Sequence, residues 1–417
     1  MIKRGYHTLG FLLNLVRDLG GTLAASARRR LRRIREGRGH LVAGFDAAPL
    51  LEPLTGVGGY AWNLLRAWAG RPGITINLYA RLFVPAGHGT GLVVPAAELK
   101  GVRLRCHEVP DGLLPSSAFW LTAGRRFLSP LFLLLDDNDL FFAPNFFTPP
   151  SWGASGRKVA TVHDCTFRVF PEFLQDETLE NLRRHLPAEL YGARRAIGVS
   201  ENTRRDLEGR LGLARARTAA ILNGFTPPVP DGPPPEPPKR PYLLFVGTLE
   251  PRKNVMGLLE AYRLLRSGGR DLGLVLAGRM GWKSGPLRTA LERHPWRRDI
   301  LHLPYLPADR LAGWYREALG LVFPSFYEGF GLPILEAMAA GCPVVTTPLA
   351  SMPEVGGDAC LYAAPEPQAL AAACARLLDE PGLREELVRR GRERAAGFSW
   401  EACAEATLEV LQEAAWA

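Results

Sequence analysis

Cysteine is scarce and scattered in this chain: Cys106, Cys165, Cys342, Cys360, Cys374 and Cys403 are the only six, and no C-x-x-C pair occurs. That spacing excludes a dense disulfide framework, argues against a structural zinc site and predicts a reduced, cytosolic setting. Long apolar runs are missing too. LGFLLNLV, near the start, is too short to span a bilayer and is followed by no small-residue cleavage site, so secretion is not expected. Unbalanced charge is absent over most of the chain. The net charge is +9, but residues 1–40 hold ten Lys or Arg against Asp18 and Glu36, a surplus of eight, which leaves a surplus of one over residues 41–417. Nucleic-acid binding would therefore rest on the tail alone and is not expected.

What is present is the composition of a globular protein, 47% hydrophobic and 22% charged over 417 residues. That length is comfortable for two domains. In the first forty residues Phe11, Leu12, Leu15 and Leu19 precede ARRRLRRIR. This reads either as an interfacial helix on an anionic lipid surface or as a solvated basic tail.

From residue 41 short apolar runs alternate with helix-period segments. LVAGF (41–45), ITINLYA (74–80), DLFFAP (139–144), KVATVHD (158–164) and AIGVS (196–200) predict strands, and GYAWNLLRAWA and SENTRRDLEGRLG predict helices between them. Such alternation predicts a mostly parallel sheet covered on both faces. The proline-dominated segment 226–241 reads as a stiff linker. After it the alternation restarts: YLLFVG, GLVLAG, ILHLPYL, GLVFPS and PVVTT predict strands, and Asn254 is a candidate cap for the helix that follows the first. Two Rossmann-like domains of this kind bind ligands in the crevice at the carboxyl ends of their strands.

The stretch PSFYEGFGLPILEAMAAGCPVV (324–345) falls at such an end. A strand runs into a loop with Gly329 and Gly331, then into a helix with Pro333 in its first turn. Free N–H groups at that helix start favour a phosphate, and the carboxylates of Glu328 and Glu336 accept from sugar hydroxyls. Together they describe a nucleotide-sugar site. A capping or salt-bridging glutamate pair is the plainer alternative.

The segment resembles the E-x7-E motif of retaining glycosyltransferases of family 4 (group 1), with the GT-B fold. The likeness runs in order through TGVGGYAWNLL, ATVHDCTFRVFPEF, GVSENTRRDL, ILNGF, FVGTLEPRKN, LAGRMGW, the 324–347 stretch and MPEVGGDACLY. It implies an α/β GT-B fold: a basic segment 1–40, an acceptor domain 41–225, the linker 226–241, a nucleotide-sugar domain 242–397 and a crossover helix 398–417 with Trp400 at the crossing. By the resemblance Glu336 holds the ribose, Glu328 faces the transferred sugar, and the backbone of Gly329, Phe330, Gly331 and Leu332 lines sugar and phosphates. Arg252 and Lys253 meet the diphosphate as cations. Gly58 and Gly59 form a strand-to-helix turn near the donor phosphate, and His163, with Asp164 behind it, contacts the sugar.

Two departures from the family stand out. Thr248 replaces an arginine common after the strand glycine, so Arg252 is expected to supply that charge. Pro304 replaces a glycine beside the base pocket, which leaves the base open. The implied chemistry is transfer with retention, in which the departing phosphate deprotonates the acceptor hydroxyl and no protein base is needed. Glycosidase geometry does not apply. DDND (136–139) contains a D-x-D, but it reads as a polar loop, and no metal or other cofactor is expected. The wording resembles enzymes of surface-polysaccharide assembly, which points to GDP-mannose first and a UDP-hexose second. The expected acceptor is a glycan or a lipid-linked glycan, and the expected location the cytoplasm or the inner face of the plasma membrane. A nucleotide-sugar epimerase, a phosphorylase or a non-catalytic partner subunit shares the architecture.

Overall fold

The computed structural model describes residues 39–51, 54, 56–85, 92–95, 98–109, 138–146, 157–227, 238–304, 306 and 308–416, with Ala24, Ala27 and Leu31. The expected membrane-surface segment lies almost wholly outside them, as do Asp136, Asp137 and residues 228–237 of the linker.

Thirteen named strands make two sheets. The first contains β1 (Leu41–Asp46), β2 (Ile74–Pro85), β3 (Arg103–Val109), β4 (Leu140–Ala143), β5 (Lys158–Val162), β6 (Arg195–Gly198) and β7 (Thr218–Ala220), in the order 3-2-1-4-5-6-7. The second contains β8 (Tyr242–Val246), β9 (Gly273–Ala277), β10 (Ile300–Leu303), β11 (Gly320–Phe323), β12 (Val344–Thr346) and β13 (Cys360–Tyr362), in the order 10-9-8-11-12-13. Every pairing is parallel. The continuous apolar runs demand this: β1, β4, β5, β8, β9 and β11 are buried residue by residue, as only strands covered on both faces are. The strand order reverses between β1 and β4 in one sheet and between β8 and β11 in the other, and crevices open at such points.

Seven helices matter for the site: α1 (Gly56–Trp68), α2 (Glu201–Leu211), α3 (Val255–Ser267), α4 (Ala308–Glu317), α5 (Leu332–Ala339), α6 (Met352–Gly356) and α7 (Trp400–Trp416). Ser200 caps α2 by accepting from Thr203 N–H, and Gly212 closes it in the left-handed conformation. Asn254 caps α3 as expected, itself at φ 54°. The strands expected from the apolar runs all form. β3, β7 and β13 were not anticipated: β3 is an edge strand in which Arg103, Arg105 and His107 interrupt the apolar run of the sequence. One local expectation is corrected. Gly58 and Gly59 do not form a strand-to-helix turn; α1 already begins at Gly56, so both lie in its first turn. Gly58 is there because a Cβ would come 2.9 Å from the Pro49 carbonyl oxygen.

The last helix returns to the first sheet. Cys403, Ala404, Leu408, Leu411, Ala414 and Ala415 of α7 join the core built by β1, β2 and α1, and Trp68 Nε1 donates to the Ala404 carbonyl at 3.1 Å. Trp400 stands at the crossing, edge-on to Tyr60 at 6.2 Å. Gly224, in ILNGF, meets it so closely that a Cβ would lie 2.4 Å from the Trp400 backbone. Gly224→Ala is therefore expected to cost about 1–3 kcal/mol of stability by overpacking. Denaturant unfolding would check this, against Gly59→Ala, where a Cβ meets nothing within 4 Å.

Candidate active site

The two loops that leave the switch point of the second sheet are stitched together by their own backbones. Phe326 N–H donates to the Arg252 carbonyl at 2.9 Å. The Asn254 amide donates to the Pro324 and Pro365 carbonyls at 3.2 and 2.8 Å. Neighbouring strands β8 and β11 thus deliver Arg252, Lys253 and Glu328 to one point.

There they form a buried ion cluster. Lys253 Nζ donates to Glu328 Oε1 at 2.6 Å and Arg252 Nη1 to Oε2 at 2.7 Å. Arg252 also binds Glu250 through Nε and Nη2, at 3.0 and 2.7 Å, and the Tyr327 carbonyl at 2.8 Å. Glu328 is 6% exposed, Glu250 3% and Lys253 9%. Burial pushes the Glu328 carboxyl up, but the adjoining Arg252 and Lys253 charges outweigh it and hold its pKa at about 2. Glu250 and Lys253 go the other way: burial dominates, raising the acid and lowering the amine.

Glu336, one turn into α5, has a contrasting setting. Burial raises its pKa, and it accepts from the neutral Tyr315 hydroxyl of α4 at 2.7 Å. The loop between the glutamates is held from behind by Ser351, whose hydroxyl bonds the Glu328 and Phe330 carbonyls at 2.9 and 2.7 Å. Gly331 caps α5 at φ 113°, a conformation a side chain would strain, and Pro333 follows at the second helical position. The Phe330 ring is buried against Phe398, and Leu332 is half-buried on the same core.

The first unit supplies the opposite wall. His163 Nε2 bonds the Pro144 carbonyl at 2.8 Å, and since a carbonyl only accepts, Nε2 carries the proton. Burial lowers its pKa, so the ring is neutral with Nδ1 an acceptor. Tyr60, next to Gly59, meets the His163 ring edge-on at 5.1 Å. Asp164 accepts from Thr166 N–H at 3.0 Å. The two walls touch at Gly329, where a Cβ would lie 1.6 Å from the His163 carbonyl oxygen. Beside this contact Phe170 and Phe173 cluster with Phe326, and Trp282 and Lys283 donate to the Phe173 and Glu172 carbonyls at 2.5 and 2.8 Å.

Direct contact thus unites Arg252, Lys253 and Glu328. His163 joins them through Gly329, and Gly59 reaches His163 through Tyr60. Glu336 is set apart on α5. Glu250, Tyr327 and Ser351 were missed: Glu250 and Tyr327 lie inside quoted motifs, and Ser351 directly precedes one. Of the D-x-D triplet, Asp139 accepts from Val42 N–H at 2.8 Å where β1 begins, at the far end of the sheet. Among the described residues no group of three or more His, Cys, Asp or Glu is arranged to hold a metal ion.

Two parallel sheets facing across a crevice, with a glutamate, lysine and arginine at the switch point, define a GT-B glycosyltransferase. The family model for group 1 glycosyl transferases matches residues 231–394. The O-antigen chain mannosyltransferase B of Escherichia coli is 33% identical over 386 residues, 88% of this chain and 98% of the relative. The chain belongs to the group 1 glycosyltransferases and is a retaining hexosyltransferase that uses a nucleotide-sugar donor. The fold agrees with sucrose-phosphate synthase of Thermosynechococcus elongatus (TM-score 0.66, 20% identity, 90% of this chain and 98% of that one). HepE of Anabaena, solved with UDP and glucose, also has a TM-score of 0.66, at 16% identity over 90% of this chain and all of that one.

The ion cluster has a pH signature. Glu328, with a folded pKa of about 2 against about 4.3 unfolded, contributes about 3 kcal/mol that is present above pH ~4.3 and lost as pH falls toward 2. The stability gap between the wild type and Glu328→Gln should therefore narrow from pH 5 to pH 2. Glu336, whose shift involves no member of the cluster, is common to both proteins and cancels in the difference, whereas Glu250 shares Arg252 with Glu328 and offsets part of the narrowing. Urea unfolding across that range reads the gap, and a constant one would mean the cluster does not hold Glu328 ionised.

Proposed function

We propose that this enzyme moves mannose, with retention, from GDP-mannose to a glycan or lipid-linked glycan in surface-polysaccharide assembly. A UDP-hexose is the second choice of donor. The 33% identity to an O-antigen chain mannosyltransferase over 88% of the chain supports the sugar and the process. The observation that carries the site reading is the pair of contrasting glutamates: Glu328 held by two cations, and Glu336, near the start of α5, bonded to the Tyr315 hydroxyl and to no cation among the described residues.

In this reading residues 41–225 form the acceptor domain and 242–397 the nucleotide-sugar domain, with 226–241 as linker and 398–417 as the crossover. Glu336 accepts from the ribose hydroxyls. Lys253 and the N–H groups opening α5 meet the diphosphate, whose charge grows as the glycosidic bond breaks. Glu328, the backbone of residues 329–332 and Nδ1 of His163 hold the sugar. Arg252 fixes Glu328 and brings positive charge to the same point, and Gly58 and Gly59 let α1 approach the donor. The acceptor hydroxyl attacks on the face the diphosphate leaves, and its proton passes to the departing phosphate oxygen. No protein base or divalent ion takes part. The enzyme works in the cytoplasm, and residues 1–40 hold it to anionic lipid at the inner face of the membrane. Among the described residues no helix is long and apolar enough to cross a membrane.

Calorimetric titration of GDP, UDP and ADP without divalent metal tests this directly. GDP is expected to bind tightest and to lose about tenfold or more in Glu336→Gln, the worth of a hydrogen bond to a charged group. Preference for UDP would move the donor to a UDP-hexose. Binding of none of the three would put the partner-subunit reading first.

A further inference from the structure

Tyr327 precedes the Glu328 that the proposed function places on the donor sugar, and its side chain goes the other way. Glu328 turns to Arg252 and Lys253 of its own unit, whereas Tyr327 is 4% exposed inside the core of the first unit, among Val162, Cys165, Phe167 and Leu207. Its hydroxyl donates to Asp206 Oδ2 of α2 at 2.6 Å and accepts from Cys165 N–H at 3.1 Å. Asp206 is held in turn: Asn202 Nδ2 donates to Oδ2 at 3.2 Å and Arg210 Nε to Oδ1 at 2.7 Å.

The same helix makes two more contacts with the second unit. Thr203 Oγ1 donates to the Gly329 carbonyl at 3.4 Å. The Glu354 carboxylate of α6 accepts from the backbone N–H of Glu201 and Asn202 at 2.7 and 2.6 Å. The chain on both sides of Glu328 is therefore tied to the opposite unit, Tyr327 by its hydroxyl and Gly329 by its carbonyl.

We propose that Tyr327 and Asp206 are positioning residues that register the donor loop against the acceptor unit, setting Glu328 relative to His163. Neither reaches the nucleotide side of the site, since Glu336, Tyr315 and Lys253 belong to the second unit alone. The pair thus governs the alignment of sugar and acceptor and leaves nucleotide affinity untouched. The proposal rests on the reading of Glu328 as a sugar-side residue.

The test uses the full-length enzyme with Tyr327→Phe and Asp206→Asn. Tyr327→Phe removes the bond to Asp206 and the acceptor of Cys165 N–H, Asp206→Asn takes the charge out of the bonds to Tyr327, Asn202 and Arg210, and both keep the shape, so kcat for transfer should fall about 10- to 100-fold. The nucleoside diphosphate Kd should stay within about twofold, and the double variant should be no worse than the poorer single one. Amide hydrogen exchange supplies a readout independent of activity: peptides covering 324–331 and 200–206 should exchange faster together in each variant, with Tm little changed. An unchanged kcat, an equal fall in kcat and nucleotide affinity, or faster exchange in one segment alone would overturn the proposal. If the wild type binds no nucleoside diphosphate, the donor-site reading fails, while the exchange data still decide whether the two loops are coupled.

Discussion

Everything at the crevice depends on the enclosure of one carboxylate by two cations. A buried ion cluster is a poor source of net stability, because desolvation offsets most of its Coulomb gain. It is a good source of uniqueness, since removing any one member leaves a charge stranded away from water. Arg252 accounts for four hydrogen bonds to two carboxylates and one carbonyl, and so ties the loop after β8 to the loop after β11. The sheet order makes this feasible: β8 and β11 are neighbours in space although about seventy residues of chain lie between them.

Much of this was legible in the sequence. The apolar runs marked the strands that are buried on both faces, and Asn254 marked the start of α3. Lys253, Arg252 and Glu328 could be named because their motifs lie at strand ends and resemble those of the family. What could not be read was which charge meets which. Glu250 looks like a solvated turn residue until the fold presses it against Arg252, and Ser351 looks like a helix cap until its hydroxyl is found on the 328 and 330 carbonyls. β3 was missed because an edge strand tolerates the polar alternation of Arg103, Arg105 and His107, and the first turn of α1 was missed because two glycines read more naturally as a loop.

The contacts between the units were the least visible of all. Tyr327 and Asp206 are 121 residues apart in the chain and Glu354 lies 153 from Glu201, so no local pattern links them. The chain makes a second long-range return at α7, which packs on the core of β1, β2 and α1. Gly224 shows how tight that return is, with room for no methyl group against Trp400. A motif such as ILNGF thus serves the site from a distance.

The charge balance of the cluster bears on the proposed chemistry. Glu250 and Glu328 together cancel Arg252 and Lys253, so the point where a diphosphate would arrive is not strongly cationic at rest. Arg252 commits four of its five N–H donors to Glu250, Glu328 and Tyr327, whereas Lys253 donates to Glu328 and lies over the Phe323 ring at 4.9 Å. An ammonium keeps three donors, so Lys253 can turn part of its hydrogen bonding toward a phosphate without leaving Glu328 bare, because Arg252 still holds the other oxygen. On the proposed reading, negative charge would grow on the phosphate as the bond to the sugar breaks, and the share of Lys253 it claims would grow with it. Such an arrangement would give stabilisation that increases along the reaction, from a site kept nearly neutral in the resting protein.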